Sequence, residues 1–144
     1  MSRLWLAALG AVAVLACSDD DTNGPADAFP DVAGVYTVEG QFDGADTSDL
    51  SFNGTVTIEQ ESLETSLLTG TADLTIVTPT GTFPVDDAEL LNANVNLVGD
   101  VTFSLEQGSV SWDFLGDKSG DVLSGTHNLT LGGQSFTGTW TGQR

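Results

Sequence analysis

The sequence predicts an all-β protein, an antiparallel up-and-down β-barrel of about eight strands. Short runs rich in Val, Thr, Phe and Leu are broken by Gly, Asp, Asn or Pro at the spacing of roughly 8–12 residues that marks strands and their turns. Within each run the apolar residues fall on alternate positions, and no helical period competes with them. Strands that alternate this regularly form an antiparallel sheet with one dry and one wet face. So many of them in series must wrap one core, and closure into a barrel removes their exposed edges.

In chain order, Tyr36, Val38, Gly40 and Phe42 form the first inward set, and Leu50, Phe52, Gly54, Val56 and Ile58 the second, with Thr55, Thr57 and Glu59 turned outward. The same alternation runs through Leu68, Gly70, Ala72, Leu74 and Ile76. It recurs in Val101, Phe103 and Leu105, then in Val110, Trp112 and Phe114, then in Phe136, Gly138 and Trp140. Glu59 to Leu68 and Asp86 to Asn92 are each expected to hold a short turn.

An internal repeat supports the meander. Residues 54 to 60, GTVTIEQ, match 108 to 114, GSVSWDF, at an offset of 54, and residues 67 to 76, LLTGTADLTI, match 122 to 131, VLSGTHNLTL, at 55. Gly81-Thr82-Phe83 and Gly138-Thr139-Trp140 continue the series at 57. Two similar three-stranded units, an opening strand and a middle pair make eight or nine strands.

The opening Gly34-Val35-Tyr36, the meander and the closing Gly138-Thr139-Trp140 before Arg144 resemble the small bacterial lipocalin-like barrels of the calycin group. The resemblance implies the fold over most of Val32 to Arg144. It carries over no ligand, because Tyr36 stands where the lipocalin first strand has Trp and the biotin-contacting set of avidins has no counterpart.

Ahead of the barrel, Met1-Ser2-Arg3 leads into thirteen uncharged, mostly apolar residues, Leu4 to Ala16. That is the length of a signal-peptide core; a bilayer-spanning helix needs about 20. Val14-Leu15-Ala16-Cys17, followed by a polar spacer, resembles the lipobox of bacterial lipoproteins. The resemblance implies cleavage before Cys17 and acylation of that residue, and several acyl chains at about 0.8 kcal/mol per CH₂ anchor durably. Residues 1–16 are thus expected to be a signal peptide, 17–30 a lipidated cysteine and acidic flexible tether, and 31–144 the barrel. Ser18 in place of a retention aspartate implies the outer membrane, facing the periplasm or the surface.

Loss of Arg3 leaves Lys118 and Arg144 against all 21 acidic residues, a net charge near −19. Such a surface repels nucleic acid and excludes it as a partner. With one cysteine and one histidine in the chain, a zinc or copper site is not expected, nor any cofactor. Asp43, Asp46 and Asp49, like Asp117 and Asp121, lack the EF-hand spacing and are read as turn residues. His127 has no nucleophile at an interpretable spacing, so no enzyme is expected.

Four inward polar or amphipathic side chains remain: Tyr36, Trp112, His127 and Trp140. They either fill the barrel or line a ligand site. Inward Gly40, Gly70, Gly125 and Gly138 mark either strand corners or ligand space. The resulting expectation is a non-catalytic envelope lipoprotein that binds a small apolar ligand through these four residues. The alternative is a structural or protein-interaction lipoprotein with a filled barrel.

Overall fold

In the computed structural model, which describes residues 28–44 and 49–144, alternation becomes nine antiparallel strands and no helix. They are β1 (Gly34–Phe42), β2 (Ser51–Glu59), β3 (Thr69–Thr78), β4 (Gly81–Glu89), β5 (Leu91–Val95), β6 (Asp100–Gln107), β7 (Val110–Ser119), β8 (Val122–Leu131) and β9 (Gln134–Gln143). Sheet order is β4-β3-β2-β1-β9-β8-β7-β6-β5, so every strand pairs with its successor except β4 and β5, which stand at the two ends of the order, and β1 pairs with β9 to join the first and last strands. Leu131 faces Gln134 across a two-residue hairpin whose Gly132 and Gly133 have φ of 58° and 83°. That is the turn whose twist matches the flanking strands, and only glycine adopts it freely. The signal segment, Cys17, the tether as far as residue 27, and Asp46 lie outside the described residues.

β4 and β5 are two halves of one bent strand, which reconciles nine segments with an eight-stranded plan. Asp87 and Asn92 have φ of 49° and 52°, and the register of β4 on β3 and of β5 on β6 shifts beside them. The turn expected at Asp86 to Asn92 is therefore a pair of left-handed residues inside extended chain, since Asp and Asn tolerate that region. The bend lets β5 bond on both edges: to β6 on one side, and on the other through Leu68 N to Ala93 O at 3.0 Å and Val95 N to Ser66 O at 2.8 Å. The other expected turn is present between Ser62 and Thr65.

Consequently the barrel is closed at one end and split at the other. The closed end, its base, carries the β5–β6 and β7–β8 turns and the start of the described chain. Across it Phe29 N donates to Leu63 O (2.8 Å), Val32 N to Gln60 Oε1 (3.2 Å) and Tyr36 Oη to Val32 O (3.0 Å). At the split end, the mouth, the β4 edge lies beside β6, joined by Gln107 Nε2 to Asp86 O at 2.8 Å.

The interior is filled in layers. Phe52, Gly40, Trp140, Gly125 and Gly116 stand side by side across five strands. A Cβ on Gly40 would fall on the Phe52 ring, and one on Gly116 would meet Trp140 Cζ2 at 2.6 Å. The next layer sets Phe42, Gly138, His127, Phe114 and Phe103 side by side. Large rings thus lie over glycines one or two strands away, the large-against-small complementarity that packs a narrow barrel.

The repeat holds for element order but not for register. Ile58 faces Gly70, whereas its counterpart Trp112 faces Leu129, four residues beyond the matching Gly125. The 60–68 connection is long and the Gly120-Asp121 turn short, so the two hairpins align differently. A slip of four is even, and each side chain keeps its face.

Candidate functional site

The four residues expected to line a ligand site are all interior. Tyr36 is at the base, and burial, the largest influence, pushes its phenol up; Arg144 partly opposes this while Asp31 and Asp121 add to it. Trp140 Nε1 shares its proton between Leu115 O (3.2 Å) and Thr126 O (3.1 Å). Trp112, fully buried, donates from Nε1 to His127 Nδ1 at 3.1 Å, and His127 Nε2 lies 3.0 Å from Gln41 O.

His127 is therefore read unambiguously. The indole nitrogen only donates, so Nδ1 must accept, and Nε2 carries the proton given to Gln41 O. Burial pushes its pKa down, against smaller upward influences from the Gln41 carbonyl and Asp43. Phe42 and Phe52 meet its ring edge-on at centroid distances of 4.8 and 4.9 Å. This histidine is a neutral hydrogen-bond bridge between β7, β8 and β1.

The structure brings Trp112 and His127 together, with Trp140 one aromatic layer away across Phe114 (5.5 Å between centroids) and Tyr36 apart at the base. Among the described residues no buried side-chain nitrogen or oxygen lacks a partner. Each of the four already has a hydrogen-bond partner within the barrel.

Trp140 and His127 each border a groove between strands, of about 460 and 350 Å³, and at the mouth the split between β4 and β6 leaves an apolar cleft of about 450 Å³. Phe42, Leu129 and Phe136 form its floor, Ile76, Phe83 and Val85 one wall, and Gln107 to Val110 the other. Ligand sites typically enclose about 300–1,000 Å³. In so acidic a chain, its lining holds no ionisable side chain; polar atoms come only from Thr78, Gln107, Ser109 and backbone. Phe83 and Leu131 keep 57 % and 42 % of their surface exposed, so the cleft is reached from solvent. Phe42 joins it to the interior, stacking on Trp112 at 6.2 Å while also lining the cleft.

Inward parity does not single these residues out. The available signal is positional: Leu50, Phe83, Leu131 and Phe136 are large apolar residues flanking turns, all at one end of the meander. Among the described residues no group of three or more His, Cys, Asp or Glu is arranged to hold a metal ion. Comparison with protein-family models, curated proteins and solved structures finds no match.

Proposed function

We propose that this chain is a non-catalytic, lipid-anchored envelope protein that binds a small, uncharged apolar molecule in the cleft at the barrel mouth. The observation that carries this reading is an uncharged apolar cleft of ligand size within an otherwise acidic surface. Burial of a ligand's apolar surface drives binding at about 25 cal/mol per Å², and the surrounding carboxylates disfavour anions such as fatty acids. Trp112 and His127 then support the floor of the site from beneath, while Trp140 lies one aromatic layer deeper and Tyr36 at the base. The first two reach it through Phe42, His127 at 4.8 Å and Trp112 at 6.2 Å between ring centroids.

A panel of neutral hydrophobic dyes should bind the protein with enhanced emission and perturb its tryptophan fluorescence. Leu131→Glu, at an exposed position, should weaken binding about tenfold or more by placing a charge against the apolar ligand. No binding across the panel, or equal binding by the variant, would refute the site. A second reading, a structural or protein-interaction lipoprotein, is favoured by the filled interior; it expects neither dye binding nor co-purified ligand in native mass spectrometry.

A further inference from the structure

The base carries an apolar surface that the cleft does not explain. Val98 is 82 % exposed, Leu67 70 %, Leu97 51 % and Leu63 45 %, half of the eight large apolar side chains exposed among the described residues. They surround one point. Phe29 is bonded to Leu63 O and shares a shallow groove with Leu97 and Val98, Leu67 is bridged to Asn94 beside that groove, and Pro30 lies over Gly99, where an added Cβ would come within 3.9 Å of its Cγ. This is where the described chain begins, only eleven residues after Cys17.

We infer that this apolar rim is a membrane-contacting surface, seated in the headgroup layer of the bilayer that holds the acylated cysteine. The inference rests on the reading of Cys17 as a lipid anchor. Eleven residues span at most about 36–40 Å, so the anchor keeps the base near the bilayer, and the Leu97-Val98 tip is the exposed apolar feature beside the tether. Apolar tips inserted shallowly add to an acyl anchor as a second membrane signal. The charges at this end choose the lipid. Lys118 and Arg144 both lie here, but so do Asp31, Asp100, Asp117 and Asp121, and Arg144 is occupied by Asp121 (2.8 Å) and Asp31 (3.6 Å). The base is not basic, so the surface fits zwitterionic headgroups and gains nothing from anionic ones.

The test uses full-length lipidated protein purified from membranes. With Cys17 acylated, Val98→Cys supplies the only free thiol, which takes an environment-sensitive fluorophore; Thr80→Cys, exposed in the β3–β4 turn at the mouth and outside the cleft lining, is the control. In phosphatidylcholine–phosphatidylethanolamine vesicles the label at 98 should shift to the blue and be quenched by spin-labelled lipid near the headgroups, while the label at 80 stays water-like. Co-flotation with vesicles and a water-like label at 98 would overturn the inference while leaving the anchor intact. Failure to co-float, or flotation unchanged in Cys17→Ala, would overturn the anchor and the inference with it. A blue shift without vesicles that grows with protein concentration would assign the rim to a second copy and also overturn it.

Discussion

His127 shows how one side chain can couple burial, hydrogen bonding and pH. It is 3 % exposed and held between a donor at Nδ1 and an acceptor at Nε2, an arrangement only the neutral ring can make. Protonation would set an N–H at Nδ1 against the Trp112 N–H. Because the folded pKa is lowered from 6.5, the unfolded chain takes up its proton first as pH falls. The stabilisation is full above the unfolded value and is lost between it and the folded pKa. His127→Phe removes both hydrogen bonds and strands the Trp112 donor and the Gln41 acceptor, at about 1–3 kcal/mol for each buried group left unpaired. Urea melts should therefore show a large gap between wild type and variant at pH 7.5 that narrows at pH 5. A gap constant with pH would refute the neutral bridge. Alternation was enough to place this ring inside; its partners were not legible, because they depend on how β7, β8 and β1 are aligned.

At the scale of elements, inward parity, turn residues and strand order were legible in sequence because each is a local, period-two property. What was not legible is register, which long connections leave free: the same repeat produces Ile58 opposite Gly70 in one hairpin and Trp112 opposite Leu129 in the other. The cleft depends on that register and on the bend between β4 and β5, and so no local pattern reports it. The Asp and Asn around the bend do carry a signal, but for left-handed residues within a strand rather than for a turn. That makes a prediction for Asn92, exposed and at φ 52°. Asn92→Val should cost about 1–2 kcal/mol, the left-handed penalty of a residue with a crowded Cβ, whereas Asn92→Gly should be close to neutral. Chemical denaturation of the two variants separates backbone strain from side-chain loss; equal destabilisation by both would mean the bend does not need the left-handed conformation.

For the molecule as a whole, the dominant force besides the core is its own charge. With Lys118 and Arg144 the only cations of the expected mature chain, 21 acidic side chains face little but one another. Two of them meet where Asp100 stands opposite Asp117: a hydrogen bond with Asp100, then desolvation and last the Asp100 charge push the Asp117 carboxyl up. Folding concentrates these charges on a small barrel and unfolding spreads them, so self-repulsion works against the native state. Salt should relieve it. The screening length falls from about 30 Å at 0.01 M to about 8 Å at 0.15 M, from longer than most charge separations on the barrel to shorter. Melting at pH 7.5, where His127 is neutral in both states, should shift upward over that range by about 4 °C for each kcal/mol of repulsion removed. Sodium chloride and choline chloride should act alike, because screening depends on ionic strength and not on a coordinated ion. A flat Tm would show that the carboxylates are too far apart, or too well hydrated, to strain the fold. A rise confined to sodium would replace diffuse repulsion with a specific cation site.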